Sequence, residues 1–106
     1  TQGKLVSEGS YYKSKQDGVW KYYFPGGEIS NRELNYKRGN LNGISKEFGR
    51  RGNIKSEISY KNNKKHGAMK VYSNRGKMVL HVLYKDGVKT KDILKNIDYN
   101  YSKPKE

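Results

Sequence analysis

The sequence predicts an all-β protein: an elongated, single-layer antiparallel meander of stacked β-hairpin repeats, followed by a short C-terminal helical or irregular cap. Three observations support this prediction. A motif recurs every 24 residues, as from Gly43 to Gly67 and from Tyr60 to Tyr84. Within each copy, apolar and polar residues alternate with the period of two that is typical of half-buried strands. Only 32% of the 106 residues are hydrophobic and the mean hydropathy is −1.14, so the core must be thin.

The repeat unit can be written G-x-x-K-x-aromatic-x-x-x-G-x-aliphatic-x-x-E-x-x-Y. It occurs three times complete, and its second half occurs once near the N-terminus, where GKLVSEGSY (3–11) matches GNIKSEISY (52–60). A fixed period of this length is the signature of a repeat architecture. The chain therefore divides into an N-terminal half repeat (1–17), three repeats (18–42, 43–66 and 67–89), and a C-terminal cap and tail (90–106).

Each complete unit is predicted to be a β-hairpin, which gives about seven strands when the half repeat is included. The second glycine of each unit suits the left-handed position of a three-residue hairpin loop. These turn glycines are Gly27, Gly52 and Gly76. In this register Phe48 faces Ile54 and Glu47 faces Lys55. The first repeat has one residue more than the others, which we interpret as a β-bulge before Glu33.

One face of the sheet is predicted to carry the core. Its members are the residues that the units retain in step: Leu5, Ile29, Ile54 and Met78; Val19, Ile44 and Ala68; Tyr23, Phe48 and Tyr72; and Tyr11, Tyr36, Tyr60 and Tyr84. The second face carries Trp20, Tyr22 and Phe24, which are expected to form an exposed aromatic patch or to contact sequence that precedes the chain. Ile93 and Ile97 have helical spacing, with Leu94 beside them, and predict a cap that covers this second face.

The composition argues against several functional classes. The chain has no cysteine, which excludes disulfides and thiolate metal sites, and no apolar run approaches the roughly 20 residues of a membrane span. Glu33, Glu57 and His81 are repeat-equivalent and fall about 10 Å apart, too far for one metal ion. Nucleotide-binding and hydrolase motifs do not occur. We therefore expect a protein that is not an enzyme and needs no cofactor, metal or small-molecule substrate.

The main candidate for a binding feature is a row of three lysines flanked by aromatic residues. Its members are Lys21, Lys46, Lys70, Tyr23, Phe48 and Tyr72. Stacked hairpins place the lysines about 10 Å apart on one face, where they could hold an anionic surface or stack bases. The alternative is that their stems cover apolar surface while the ammonium groups reach water. The basic pairs at 50–51 and 64–65 are interpreted as solvated turn charges.

Three segments, DGVWKYYFPGGEI, NGISKEFGRRGNI and HGAMKVYSNRGKM, each followed by ExxY or HxxY, resemble the MORN-repeat variant of bacterial proteins. The resemblance spans about residues 3–89. It implies that each unit is a hairpin and that successive hairpins build an elongated antiparallel sheet. It also implies a binding role, since some members of that family are described as antitoxins of toxin–antitoxin systems.

The charge balance suggests the chemistry of the partner. The chain has 23 Lys and Arg against 10 Asp and Glu, a net charge of +13, which suits an acidic partner. We expect a non-catalytic scaffold that binds another protein in an antitoxin- or immunity-like role. Two alternatives remain open: a binder of nucleic acid or acidic phospholipid, and a structural segment of a larger exported protein. The resemblance points to a bacterial protein, either cytoplasmic or exported, and a start at Thr1 without Met fits a removed leader or a trimmed domain.

Overall fold

The computed structural model describes residues 6–25 and 30–95, and these residues form one open antiparallel sheet. The predicted all-β hairpin meander is therefore confirmed. The strands are β1 (Ser7–Tyr12), β2 (Lys15–Tyr23), β3 (Ser30–Lys37), β4 (Asn40–Leu41), β5 (Gly43–Phe48), β6 (Ile54–Lys61), β7 (Lys64–Tyr72), β8 (Met78–Lys85) and β9 (Val88–Lys95). Their order across the sheet is β1-β2-β3-β5-β6-β7-β8-β9, and the two-residue β4 extends the pairing of β3.

The seven predicted strands are present, and β4 and β9 are additional. β9 corrects the predicted C-terminal cap, because the segment expected to be helical or irregular pairs with β8 instead, from Lys85 opposite Val88 to Leu80 opposite Lys95. Pairing satisfies the N–H and C=O groups along the edge of β8, whereas an isolated helix of this length is marginal in water. Ile93 is 49% exposed and Leu94 is 39% exposed, so neither is buried as a cap. Ile97 lies outside the described residues.

Two kinds of turn alternate along the chain. Successive repeats are joined by two-residue turns at 13–14, 38–39, 62–63 and 86–87, in which both residues have positive φ, as type I′ turns require. The second and third hairpins close through three-residue loops, in which Gly49 N–H donates to the Asn53 carbonyl and Gly52 N–H donates to the Gly49 carbonyl. Gly52 and Gly76 have φ of 84° and 86°, as predicted for the turn glycines. Gly27 lies outside the described residues.

β-bulges interrupt the pairing of all three hairpins. Phe48 lies opposite Ile54 as predicted, but Glu47 lies opposite Ser56 and not Lys55, because Lys55 is the extra residue of a bulge. A bulge also falls in the predicted place before Glu33, at Asn31. Since the third hairpin has an equivalent bulge, this feature does not account for the additional residue of the first repeat. That residue falls in the connection 24–29, which is one longer than 49–53.

The two faces of the sheet differ from the prediction. The core face carries Trp20, Leu34, Ser45, Ile58, Met69, Val71, Leu80 and Val82, which the register brings to one side. Trp20 is 6% and Val82 is 3% exposed. Val19 and Ile44, predicted to point inward, lie on the opposite face and are 49% and 48% exposed. The prediction assumed uninterrupted alternation through each hairpin, and the bulges reverse the side of every residue beyond them.

The sheet is a single layer. Its extents are 45 × 35 × 16 Å and its radius of gyration is 15.8 Å, compared with about 13 Å for a compact domain of this length. Within the described residues the buried hydrophobic side chains are Trp20, Val79 and Val82. Because the described residues supply no second layer, the side chains of the core face are covered mainly by one another.

Candidate functional site

A row of alternating charges crosses the face opposite the core. Successive residues in the row lie directly across from one another on neighbouring strands. From β1 to β9 they are Glu8, Lys21, Glu33, Lys46, Glu57, Lys70, His81 and Leu94. We call this row the charge ladder and its side of the sheet the ladder face. The three predicted lysines do lie in line on alternate strands, but each has a glutamate on at least one side, so the row has little net charge.

Tyrosine hydroxyls hold two of the ladder glutamates. Tyr23 Oη donates to Glu8 Oε2 at 2.5 Å, and Tyr72 Oη donates to Glu57 Oε1 at 3.2 Å. The hydrogen bond to Glu8, with smaller contributions from burial and the nearby carboxylates, raises the pKa of Tyr23 above its ordinary value of 10.0. Burial, followed by the charge and hydrogen bond of Glu57, raises the pKa of Tyr72. Phe48 is the repeat-equivalent residue beside Glu33 and has no hydroxyl to donate.

Aliphatic side chains border the ladder on the side away from these aromatic rings. Val19 and Ile44 are about half exposed, and Ala68 and Leu83 pair on the same face. A shallow depression of about 150 Å³ lies here, lined by Ile44, Glu57, Ser59, Ala68 and Lys70. Exposed aliphatics beside a row of matched charges give this face the mixed character of a protein interface.

The predicted exposed aromatic patch is wrong for Trp20. Its indole ring lies on the core face against β1: Nε1 donates to the Ser10 carbonyl at 2.9 Å and the ring centroid is 5.1 Å from that of Tyr11 in an edge-to-face arrangement. Tyr22 and Phe24 are half-buried, with guanidinium groups above their rings at 4.9 Å and 4.5 Å. The segment that covers Trp20 is the N-terminal half repeat, whose small residues Gly9 and Ser10 admit the indole.

The two-residue turns stack at one end of the sheet, which we call the turn rim. Backbone N–H groups of Gly39, Asn63 and Gly87 donate to carbonyls of the preceding repeat at 2.7–2.9 Å. The residue before each repeat's first glycine supports the next turn: Asp17, Asn42 and His66 side chains accept the N–H of Arg38, Asn62 and Asp86. Many cationic residues lie in or beside these turns: Lys13, Lys15, Lys37, Arg38, Lys61, Lys64, Lys65, Lys85 and Lys89.

Sequence reasoning treated turn charges as solvated and scattered, and it missed this rim. The signal was present in the 24-residue recurrence of YK before the last three two-residue turns, at 36–37, 60–61 and 84–85. Turns of equal type at equal spacing stack in register, so their flanking lysines must form a row. The excess positive charge of the chain is therefore concentrated at the ends of the strands and not along the ladder.

The described residues offer little for catalytic chemistry. No group of three or more His, Asp or Glu side chains among them is arranged to hold a metal ion, and the depressions are shallow and open. The two histidines are separate: His66 supports a turn and lies 3.6 Å from the Asp86 carboxylate, whereas His81 lies opposite Lys70 in the ladder. No helix long and apolar enough to cross a membrane occurs in the described part of the chain.

Comparison with protein families agrees with this architecture. The family model described as "MORN repeat variant" matches residues 16–38, 41–62 and 65–86, more than half of the chain. Each matched segment covers one hairpin of the meander. No curated protein matches the sequence. MORN repeats are a non-catalytic repeat type that binds other molecules, such as proteins or membranes. On this evidence the chain belongs to the MORN repeat variant family.

Proposed function

We propose that the chain is a non-catalytic scaffold that binds a protein partner through the ladder face, without a cofactor or small-molecule substrate. The observation that carries the proposal is the charge ladder with its border of exposed aliphatics. A polyanion would meet Glu33 and Glu57 as readily as Lys46, so this face is poorly suited to nucleic acid or to an acidic membrane. A protein surface can match alternating charges one by one and also cover the aliphatic border.

The depression beside Ile44 is the natural anchor of such an interface. It lies near the middle of the sheet, between β5 and β7, and combines two aliphatic walls with the Glu57 and Lys70 head groups. Interfaces commonly concentrate their binding energy in a central pocket of this kind, which receives one side chain of the partner. The net charge of +13 would attract an acidic partner from a distance, while the ladder would select the orientation of docking.

The experiment begins with the intact chain as bait in its natural host, followed by titration calorimetry of the purified chain with each recovered protein. Ile44→Glu places a charge on the anchor and should weaken the binding of a true partner by about 30-fold, the size of effect expected for a hot-spot residue. The matched control is Ile93→Glu, because Ile93 has almost the same exposure, 49% against 48%, and lies in edge strand β9, roughly 19 Å from β5. Equal losses from both variants, or recovery of nucleic acid alone, would contradict the proposal.

An antitoxin-like role is the narrowest form of this proposal. If the partner is a toxin, its expression alone should arrest growth, and co-expression of the chain should restore it. Ile44→Glu should then fail to restore growth while Ile93→Glu succeeds. A partner that binds at Ile44 without any effect on growth would leave the scaffold role standing and remove the antitoxin role.

A further inference from the structure

The first corner of the turn rim differs from the ladder face in both charge and aromatic content. Two depressions meet there, and both are lined by Tyr12 and Arg38. One, of about 350 Å³, is completed by Lys13 and Lys15. The other, of about 430 Å³, is completed by Asp17, Gly18, Tyr36, Lys37 and Asn42. We call this place the Tyr12 corner.

The side chains of the Tyr12 corner are arranged around one ring. Tyr12 is 46% exposed, and cations lie over its ring on the Lys13 and Arg38 side chains, at 5.5 Å and 5.9 Å from the centroid. The Arg38 backbone is fixed because its N–H donates to Asp17 Oδ1 at 3.0 Å. Asp17 is the acid of the corner, and this hydrogen bond already engages its carboxylate. The corner therefore presents a partly exposed tyrosine ring with two cations over it, and Lys15 and Lys37 line the same depressions.

We propose that the turn rim, starting at the Tyr12 corner, binds single-stranded nucleic acid. Proteins that bind single strands without sequence preference combine aromatic rings, on which bases stack, with cations that follow the phosphates. Tyr12 supplies the ring. Lys13, Lys15, Lys37 and Arg38 supply the first phosphate contacts, and the stacked turns continue them with Lys61, Lys64 and Lys85 at intervals of about 10 Å. This site is separate from the ladder face, so it extends the proposed function and does not depend on it.

A linear polyanion fits this surface better than a second protein would. The rim is a narrow line of turns and not a broad face, and its acids are few. They are Asp17, Asp86, which lies 3.6 Å from His66 Nδ1, and Asp92, which pairs with Lys89 at 3.1 Å. The lysines of the rim are exposed except for Lys65. That side chain is half-buried, and its Nζ lies 5.0 Å from the Tyr84 ring centroid. At the Tyr12 corner a base could displace the Lys13 or Arg38 side chain from the face of the Tyr12 ring. The displaced cation could then pair with the phosphate of the same nucleotide, so its charge would not be left unpaired.

The test uses fluorescence anisotropy of a labelled oligothymidylate of about ten nucleotides with the full chain. Lys13→Gln with Arg38→Gln should lower affinity about 10-fold, and the salt slope should lose about 1.4, or 0.7 for each lost phosphate contact. The matched control, Arg50→Gln with Arg51→Gln, removes the same charge from the opposite end of the sheet and should cost less than about 3-fold. Lys15 and Lys37 flank the turns without belonging to them. Lys15→Gln with Lys37→Gln should therefore also lower the affinity about 10-fold, even if the variants at Lys13 and Arg38 fold poorly.

The aromatic contribution has its own variants. Tyr12→Leu should weaken binding about 5-fold or more, the lower end for loss of one stacked base, and Tyr12→Phe should restore it. The proposal is overturned if the two charge-matched pairs lose equally, since attraction would then follow total charge alone. It is also overturned if Tyr12→Leu binds as the wild type does, or if phosphatidylserine vesicles bind more tightly than the oligonucleotide with the same dependence on Tyr12, which would identify a membrane surface.

Discussion

The indole ring of Trp20 lies directly on the bare backbone of Gly9 in the neighbouring strand. A Cβ added at Gly9 would overlap the ring atoms of Trp20, so only glycine admits the indole at this distance. The contact buries the largest side chain of the chain, which is 6% exposed, in a sheet where few residues are buried at all. It ties the N-terminal half repeat to the first complete hairpin.

Gly9→Ala should therefore be strongly destabilising for so small a change. The added methyl group must push either the indole or β1 away, and overpacking of this kind costs about 1–3 kcal/mol. Urea unfolding followed by tryptophan fluorescence measures the loss. Ser10→Ala is the control, because it keeps the carbonyl that accepts the indole N–H and should fall within about 0.5 kcal/mol of the wild type. Similar values for the two variants would show that the indole does not need this contact.

Gly52→Val should destabilise the second hairpin for a different reason. In the described part of the chain, no atom beyond Gly52 and its two chain neighbours lies within 4 Å of a Cβ built there, but the φ of Gly52 is +84°, a conformation that β-branched residues avoid. The expected cost is roughly 1 kcal/mol or more, and Gly52→Asn should recover part of it, because asparagine tolerates left-handed backbone. Thermal unfolding of the two variants makes the comparison. An unchanged melting temperature for Gly52→Val would mean that the loop adopts another register.

The sequence could predict the hairpins but not which side of the sheet was buried. Turn glycines and the 24-residue period indicate where each hairpin turns, and Gly52 and Gly76 have the positive φ that was expected, although β2 and β7 begin three residues before Gly18 and Gly67. The buried side depends on single bulge residues such as Lys55, which looks like any other strand residue in the sequence. Uninterrupted alternation through the hairpin placed Ile44 on the same face as Ile58 and Tyr60, whereas the bulge at Lys55 separates them, and Trp20 and Ile44 were each assigned to the wrong side.

The candidate site was predictable to a similar extent. The spacing of Lys21, Lys46 and Lys70 correctly implied a row on one face. Its near neutrality followed only from the register, which sets Glu33 and Glu57 between the lysines. The Tyr12 corner was harder to foresee, because it depends on how the turn at 38–39 stacks on the turn at 13–14 through the Asp17 side chain.

His66→Ala should weaken the last turn of the rim. His66 Nδ1 accepts the N–H of Asp86 at 3.2 Å, and loss of such a bond costs about 0.5–1.5 kcal/mol. His66→Asn should retain most of the stability, because Asn42 makes the equivalent contact in the preceding repeat. Chemical denaturation compares the two, with His81→Ala, which removes the ladder histidine, as the control. A loss from His66→Asn as large as that from His66→Ala would refute the role of the side chain as a turn acceptor.

Tyr72 should make the fold sensitive to alkali. The raised pKa of Tyr72 means that the unfolded chain releases the phenolic proton from about pH 10, while the folded chain still holds it. The unfolded state then binds fewer protons, so the free energy of unfolding falls as pH rises above the ordinary value. Urea unfolding at about pH 9 and about pH 11 should show a smaller fall for Tyr72→Phe than for the wild type.

The Glu57 carboxylate supplies two of the three causes of this shift, so Glu57→Gln provides the control. The titration of Tyr72 alone is the difference between the absorbance titration of Glu57→Gln and that of Glu57→Gln with Tyr72→Phe. In this difference the tyrosinate absorbance should appear at lower pH than in the corresponding difference for the wild type. Burial remains, so the shift should shrink without disappearing. Coincident titrations with and without the Glu57 carboxylate would disprove the contact between the two side chains.

Ser45→Ala should leave the stability unchanged or raise it, by up to about 1 kcal/mol. Ser45 lies on the core face opposite Ile58 and is 7% exposed, and in the described part of the chain its buried hydroxyl has no hydrogen-bond partner. A buried polar group without a partner costs free energy, and removing it together with its desolvation penalty is close to neutral or stabilising. Ser59→Ala, in the strand that pairs with β5 but on the ladder face, is the control and should change stability by less than about 0.5 kcal/mol. The measurement is urea unfolding of both variants. A loss of about 1 kcal/mol or more from Ser45→Ala alone would show that the hydroxyl is bonded in solution, and the thin core would then contain a polar contact that contributes to its stability.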